Sequence, residues 1–506
     1  MSTESNASAS GTPGTHGQLG ESRLRLPDVV AQSFGFMGPV FGVAFLVPLI
    51  VGAGASGQGA GVATPVAVII AALGTLALAN VIARYARRID ACGALYDYIS
   101  SAAGKRAGVV AGWAYYGAAV FGFAVSTPII VSGTLADWLA GEHGIHIPWW
   151  VICIAMTALV LVIVTVGVRF STRAQLVLVG VSAVVVLAFS VWIIIKGGHG
   201  GNSLAPFNPG SGSLKGILFG VVYGIALFIG FETAANLAEE CEAPKVAIPR
   251  ALTLSIVASA GYFIVCTYAQ AIGFGLDAKS WATSGAPLFV LSADPEFGSA
   301  GLSSVMVVLV VVDGLAVTIG AWVATTRGLL QLSRNRVLPK LLGRTNARFG
   351  TPANAAVFVA LATVATTVLI HAAHGLLSRA TADPAVVLPE YTPVWTWLAT
   401  FGPLLFVVVY LAICVIGLVD LWNSENRVGL TIACVVGALV SAGGVYGLVY
   451  KAPHPLNYVA PVALAWLLIG VAIAFWLKGT GRIAEDGRLF EEDAADGPAT
   501  AKLAAT

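Results

Sequence analysis

Charged residues are scarce in this chain. Asp, Glu, Lys and Arg make up 10% of its 506 residues, whereas 57% are hydrophobic and the mean hydropathy is +0.86. A soluble domain does not need so much apolar surface, so the composition predicts a polytopic membrane protein whose main partner is the lipid bilayer. The formal net charge of +2 gives no indication of a nucleic-acid partner.

Several kinds of functional site are also missing. The six cysteines are scattered without a C-x-x-C pair, which argues against a disulfide framework or a zinc site. All seven histidines lie in the N-terminal tail or in loops, which disfavours an intramembrane metal enzyme or a His-dependent acyl transfer site. The only Gly-Lys pair, Gly104-Lys105, is followed by Arg106 and lacks the upstream glycine of a phosphate-binding loop. We therefore expect neither an enzyme, nor a nucleotide-driven pump, nor a cofactor.

The hydrophobic residues are grouped into twelve segments, most of them near the length of about 20 residues that crosses a bilayer as a helix. The ninth segment is short, and the sixth is interrupted by Gly230. The pattern predicts an all-α polytopic membrane protein with twelve transmembrane helices. The predicted spans are residues 29–51, 64–85, 109–134, 148–168, 174–195, 217–240, 251–274, 304–325, 355–370, 395–419, 428–448 and 458–477.

Basic residues are concentrated on one side of these spans. If the N-terminus is cytoplasmic, 22 of the 27 Lys and Arg residues fall in cytoplasmic tails and loops. This bias predicts a plasma (inner) membrane protein with an even number of spans and both termini in the cytoplasm. Residues 1–24 and 478–506 are predicted to be disordered cytoplasmic tails, and no cleaved signal peptide is expected. The five exceptions to the bias are Lys196, Lys215, Lys279, Arg379 and Lys451.

Two polar segments between the predicted spans are notable. "LYDYISSAAGK" (95–105) follows the second span, and "LLQLSRNRVLPKLL" (329–342) follows the eighth. Each is interpreted either as a helix lying along the inner face or as an ordinary solvated connection. Basic residues near the spans, such as Arg327 and Arg334, have two interpretations as well: they orient the chain, or they form salt bridges at an inner gate.

Two spans contain helix-breaking residues. The first span contains "SFGFMGPVFG" (33–42), and the sixth contains Gly224 and Gly230. These two breaks lie about 190 residues apart, and each opens a five-helix unit. A lone glycine more often reflects close helix packing. Paired breaks are typical of transporters with inverted repeats, because the backbone groups that a break frees face a ligand at mid-membrane. Glu232 adds an intramembrane acid two residues beyond the second break.

These residues resemble the amino acid/polyamine/organocation transporter superfamily. The resemblance rests on "FIGFETAANLAEECEAPKVAIPRA" in span six, on "GALYDY" with Gly112-Trp113, and on "SRNRVLPKLLGRTNARFGTPANA" after span eight. It covers roughly residues 25–420. It implies a LeuT-like fold in which helices one to ten form a 5+5 inverted repeat over residues 25–420, while residues 421–477 add helices eleven and twelve.

The resemblance also implies a binding site. The broken first helix would offer N–H groups to a substrate carboxylate, and the broken sixth helix would offer carbonyl groups to its amine. Glu232 would hydrogen-bond the backbone freed by the break, and a structural role and a transported-proton role are both open for it. The implied contacts are Gly35, Phe36, Met37 and Gly38 in helix one and Phe228, Ile229 and Gly230 in helix six.

One departure from the family pattern concerns the lid of this site. Relatives often carry an aromatic residue four positions before the span-six glycine, where this chain has Ala226. Either Phe228 or another helix supplies the lid, or the pocket admits a larger substrate.

A second departure concerns coupling. Proton-coupled relatives often carry a lysine in span five, where this chain has Ser182. The Ser182 hydroxyl could help to coordinate a cation together with Thr318 or Thr325, or the protein could be an exchanger. Asp313 lies in an apolar stretch of span eight, and both a functional role and a structural polar pair are open for it. The coupling ion, proton or sodium, is left open.

The expected function is secondary transport of an amino acid or related small amine by alternating access, with the substrate held between helices one and six. A polyamine- or ethanolamine-type permease or an exchanger of the same fold is the alternative. A channel would need a continuous polar lining that the spans do not provide, and a receptor that binds without transporting is the remaining rival.

Overall fold

The computed structural model confirms an all-α polytopic architecture. Within the part of the chain that it describes, residues form helices and connecting turns, and the one extended pairing is an isolated β-bridge between Leu24 and Cys241. The predicted tails, 1–24 and 478–506, lie almost entirely outside the described residues. The described residues are 24–52, 59–373, 389–422, 426–450 and 456–480, without the side chains of 168–174.

Twelve helices are long and apolar enough to cross a membrane, as predicted, and we number them one to twelve in chain order. Spans three, seven and eight are several residues longer than predicted, because their polar ends continue the helix beyond the apolar run. The spans are Leu26–Gly52, Gly61–Ala86, Lys105–His143, Trp149–Val166, Gln175–Gly200, Leu214–Glu240, Pro244–Gly273, Ala300–Arg334, Ala353–Ala372, Tyr391–Asp420, Arg427–Val449 and Leu456–Gly479.

The two polar segments have different structures. Leu95–Ala103 is a separate short helix between spans two and three, and its position along the inner face stays a prediction. The other segment is not a separate helix, because its first residues are the last turns of span eight, which ends at Arg334. Arg336 then has a left-handed backbone (φ +56°), a conformation that stops a helix. Only the single 3-10 turn Lys340–Gly343 follows.

The broken spans lie at the centre of the bundle. Most residues of spans one, three and six are buried, whereas at most a third of the residues are buried in the apolar windows of spans four, eleven and twelve. Large apolar side chains on the outer spans, such as Leu361, Leu439 and Leu468, are more than half exposed. An outer surface of this kind is stable against lipid rather than water.

Span twelve is attached to span three by a pair of tryptophans. The indole rings of Trp113 and Trp466 stack with centroids 4.7 Å apart. Each indole N–H donates to the backbone carbonyl of the other residue, at 3.0 and 3.1 Å. This pair satisfies two polar groups that lipid could not bond.

Candidate functional site

Span one is interrupted at Gly38. Its helix Leu26–Met37 ends there because Gly38 has a left-handed backbone (φ +56°), and the helical path resumes at Pro39. Any Cβ at this position would lie 2.0 Å from Val317 Cγ2, so space as well as conformation requires glycine. A new helix start leaves the N–H groups of its first turn without intrahelical partners.

Asp313 of span eight accepts one of those N–H groups. The Phe41 N–H donates to Asp313 Oδ2 at 2.8 Å. Gly38 has no side chain that could cap the helix, and Asp313 supplies the capping oxygen in its place. The other carboxylate oxygen lies 3.4 Å from the Ser182 hydroxyl of span five. That hydroxyl has one proton and is also 2.8 Å from the Leu178 carbonyl, so its contact with Asp313 is the weaker one.

The structure thus brings Ser182 and Asp313 together but not the two threonines. Thr318 donates to the Gly314 carbonyl of its own helix at 2.8 Å. The Thr325 hydroxyl is buried and has no hydrogen-bond partner among the described residues. Thr325 lies twelve residues after Asp313, which is about 18 Å along a helix. The cation site predicted from Ser182, Thr318 and Thr325 therefore stays a prediction.

Span six is interrupted at Gly230, which has a φ of +113°. The α-helix Leu214–Ala226 ends before this glycine, and the continuation Phe231–Glu240 is a 3-10 helix rather than an α-helix. Glu232 bonds the freed backbone, since its Oε2 accepts from the Gly230 N–H at 3.2 Å. Its Oε1 accepts from the Tyr115 hydroxyl of span three at 3.0 Å.

Carbonyl groups around the second break are only partly satisfied. The Phe228 carbonyl accepts from the Phe231 N–H at 3.1 Å, and the Gly230 carbonyl accepts from Thr233. Within the described chain, no donor reaches the carbonyl oxygens of Leu227 and Ile229. The resemblance implies three carbonyl acceptors, those of Phe228, Ile229 and Gly230. Among these, the Ile229 carbonyl is the one without a donor in the described chain, and it can therefore bind a ligand.

The two breaks touch each other. A Cβ on Gly230 would lie 2.9 Å from Phe36 Cγ and 3.1 Å from the Met37 nitrogen. Ser33 also joins them, because its hydroxyl donates to the Phe231 carbonyl at 2.7 Å and accepts from the Ala234 N–H at 3.2 Å. The interruptions of spans one and six thus form one continuous, closely packed region.

Aromatic side chains surround this region. Phe228 is fully buried, and its ring packs edge to face against Phe263 of span seven at 5.6 Å. On the other side, Phe41 contacts Phe45, and Phe45 contacts Trp395 of span ten, with centroids 5.1 and 5.8 Å apart. Ala226 is buried in the last turn of its helix and contributes no ring.

Gly35 lies beside Gln175 of span five: a Cβ on Gly35 would be 3.0 Å from Gln175 Cβ. Gln175 Nε2 donates to the Ala316 carbonyl at 3.1 Å, and Gln32 Nε2 donates to the Gly320 carbonyl at 3.0 Å. The two amides thus join spans one and five to span eight. Both are polar residues within apolar spans, so the sequence alone could have identified them as candidate site residues.

The end of the bundle at which span one begins is closed. We call it the basic end. Leu24 pairs with the backbone of Glu240 and Glu242 through hydrogen bonds of 2.8 and 3.0 Å. The Arg327 guanidinium forms a buried salt bridge with the Glu240 carboxylate, with Nη2 and Oε1 3.1 Å apart. Arg334 forms a more exposed pair with Glu239, 2.9 Å between Nη1 and Oε2. Both interactions link span eight to the end of span six.

Two buried titratable groups outside the spans lie next to these interactions at the basic end. Burial raises the pKa of Asp97 to about 6, against the lowering effect of hydrogen bonds from Gln331 and the Gly93 N–H. Burial also raises the pKa of the Cys92 thiol, which lies against Arg327. Neither group is solvated while the basic end is closed.

Twelve apolar helices, two of which are broken at the centre of the bundle, define a multi-pass membrane transporter. Residues 33–486 match the model of the amino acid permease family, and the chain belongs to that family. Membership confirms the predicted superfamily and a transport function rather than an enzymatic one.

The chain is 28% identical over 281 residues to the branched-chain amino acid permease of Lactococcus lactis subsp. cremoris, which covers 52% of this chain and 58% of the relative. It is 24% identical over 314 residues to the methylthioribose transporter of Bacillus subtilis, covering 58% and 64%. The alignments thus span about six tenths of these relatives. The crystal structure of the Eremococcus coleocola manganese transporter superposes with a TM-score of 0.50 at 12% identity, covering 90% of this chain and 95% of that one, which shows the fold alone.

Proposed function

We propose that this chain is a secondary transporter that moves an amino acid or related small amine across the plasma membrane by alternating access. The substrate lies between the broken spans one and six. The observation that carries this proposal is the contact of the two breaks at the centre of the bundle, where Gly230 meets Met37. Polar backbone at membrane depth is otherwise unfavourable, and a ligand site accounts for it.

The proposed contacts are the residues that the resemblance to the transporter superfamily implies. Phe36, Met37 and Gly38 lie at the first break, and Gly35 lies one turn earlier against span five. The Ile229 carbonyl accepts a hydrogen bond from the substrate. Ala226 carries no aromatic ring, which leaves space for the substrate in the wall of the proposed binding site. The proposed binding and coupling residues are Gly35, Phe36, Met37, Gly38, Ala226, Phe228, Ile229 and Gly230, with Glu232, Ser182, Asp313, Thr318 and Thr325.

The basic end is the cytoplasmic side in this proposal, and both termini are cytoplasmic. A proton or a sodium ion drives transport, or the protein exchanges substrates. One relative is named for branched-chain amino acids and another for methylthioribose, so relatives of this chain differ in substrate.

Counterflow of labelled substrate in proteoliposomes tests this function, with Gly230→Leu as the informative variant. Leucine at 230 collides with Phe36 and cannot adopt a φ of +113° without strain, so counterflow should be abolished. Gly261→Leu in span seven is the matched control, because nothing lies within 4 Å of its Cβ position. Both variants are first checked for a monodisperse elution profile. Full counterflow by Gly230→Leu would show that the site lies elsewhere.

A further inference from the structure

We infer that the substrate of this chain is an organic cation without a carboxylate group, and that Asp313 is the carboxylate that binds its ammonium group. This inference rests on the proposed function, transport through the region where spans one and six break. It narrows that function to amines and related cations as opposed to amino acids.

Asp313 already occupies the position where a substrate carboxylate would bind. A helix start attracts anions through its unpaired N–H groups. In the second half of span one, Pro39 has no N–H and the Phe41 N–H is bonded to Asp313 at 2.8 Å. A substrate carboxylate here would have to displace Asp313 or lie about 4 Å from it, where like charges repel strongly in a buried site.

Among the described side chains, no cation pairs with Asp313. The carboxylate is fully buried, and none of the salt bridges among the described side chains includes it. The span-five residue that faces it is neutral Ser182. Arg173 lies nine residues earlier in that helix, about 13 Å along its axis. A buried carboxylate is stable when a cation pairs with it.

Asp313 differs in this respect from the other buried acid of the site. Glu232 accepts two hydrogen bonds, from the Gly230 N–H at 3.2 Å and from the Tyr115 hydroxyl at 3.0 Å. Asp313 accepts the Phe41 N–H at normal length, the neighbouring Val40 N–H also faces it, and its contact with the Ser182 hydroxyl is long because that hydroxyl has a closer acceptor. Ionised, it can accept about four. The unused acceptor capacity therefore lies on Asp313.

The second break also presents acceptors rather than donors. The carbonyls of Leu227 and Ile229 have no donor in the described part of the chain. Leu227 also reaches span one, since its Cδ2 would lie 2.9 Å from a Cβ on Gly42. An ammonium group carries N–H donors and no acceptor, so it satisfies these oxygens. The rings of Phe41 and Phe45 add apolar faces that favour an organic cation.

The test compares each amino acid with the amine that its decarboxylation gives: leucine with 3-methylbutylamine, phenylalanine with phenethylamine, and lysine with cadaverine. Leucine methyl ester adds a compound whose carboxylate charge is masked. Purified full-length protein is examined by thermal shift and, in proteoliposomes, by counterflow. At least one amine should bind about tenfold or more tightly than its parent amino acid, and the ester should behave like an amine. Tighter binding of every amino acid than of its amine would overturn the inference.

Asp313→Asn supplies the second measurement. The asparagine oxygen can still accept from Phe41, but the charge is gone, so binding of the amine should weaken and the preference for it over the amino acid should shrink or invert. Ser190→Ala is the control: this buried serine of span five donates to the Val186 carbonyl of its own helix, and the variant should keep the wild-type preference. An unchanged preference in Asp313→Asn would overturn the inference.

If Asp313→Asn does not fold, Ser182→Lys replaces it, because an ammonium group placed beside Asp313 should compete with the amine and lower its affinity. Undiminished amine binding by that variant would contradict the role of Asp313. Absence of counterflow for both substrate classes would refute the proposed transport function instead. The thermal shifts would then still decide the binding class, and a protein stabilised by no amine would refute the inference too.

Discussion

Asp97 is a carboxylate whose environment makes stability depend on pH. It lies in the short helix Leu95–Ala103, and burial raises its pKa from 3.8 to about 6. The folded protein therefore binds a proton between about pH 4 and pH 6 that the unfolded chain does not bind. The contribution of Asp97 to the free energy of unfolding therefore increases as the pH falls from about 6 to about 4. This contribution is lost as the pH rises back through about 6.

Asp97→Asn should remove this dependence, because an amide cannot ionise. We expect the variant to unfold roughly 3 °C above the wild type at pH 7.5 and to match it near pH 4. Thermal unfolding of detergent-solubilised protein across this pH range measures the difference. A variant whose midpoint stays parallel to that of the wild type at every pH would contradict the assignment.

Individual residues of the site could be predicted only where their signal is local. Gly38, Gly230 and Glu232 stand out in the sequence because glycine and acid are unusual within an apolar span. Asp313 and Ser182 are conspicuous for the same reason, but their contact joins residues 131 positions apart. The bond from Asp313 to Phe41 depends on how span eight packs against span one, and no pattern within either span encodes it.

At the scale of elements, the salt bridge between Arg327 and Glu240 joins span eight to the end of the broken span six. Both side chains are almost completely buried, with 1% and 3% of their surfaces exposed. Removing one partner of such a pair leaves an uncompensated buried charge, which destabilises the arrangement by about 3–5 kcal/mol. The closed basic end is the arrangement that this pair stabilises.

Arg327→Ala should therefore favour opening at the basic end. In a variant whose only cysteine is Cys92, the rate of alkylation by a soluble maleimide should rise about tenfold or more, because burial now protects this thiol. Arg25→Ala removes an exposed pair with Glu242 at the same end and should change the rate little. Equal rates in both variants would show that the buried pair does not hold this end closed.

Element boundaries show what apolar runs predict well and what they miss. All twelve spans are predictable, because the length of an apolar run is a local property. The 3-10 geometry of Phe231–Glu240 is not, because this segment packs against spans one and seven, and no local pattern encodes those contacts. For the segment after span eight, the sequence leaves a surface helix and an ordinary connection open, because the apolar run does not show that the helix continues to Arg334.

At the scale of the whole molecule, the orientation of the chain in its membrane is the main quantity that stays a prediction. The bias of Lys and Arg assigns the basic end to the cytoplasm. Two exposed leucines in opposite loops are suited to testing it: Leu204 lies between spans five and six, and Leu341 lies between spans eight and nine.

Single cysteines introduced at these positions into a cysteine-free variant should react differently in intact cells. Leu204→Cys should be labelled by a membrane-impermeant maleimide, whereas Leu341→Cys should be labelled only after permeabilisation. The reverse pattern would invert the assignment of the two sides, and labelling of both positions in intact cells would contradict an odd number of spans between the two loops.

The 3-10 helix after Gly230 has a mechanical consequence. A 3-10 helix rises about 2.0 Å per residue and an α-helix about 1.5 Å, so the ten residues Phe231–Glu240 are about 20 Å long and would shorten to about 15 Å if they were wound as an α-helix. One end of this segment is fixed beside Met37, and the other carries Glu240. Rewinding it as an α-helix would move its end by about 5 Å, which is enough to separate the Glu240 carboxylate from Arg327. A change in the winding of this one short helix would then convert an event beside Met37 into a displacement at the basic end.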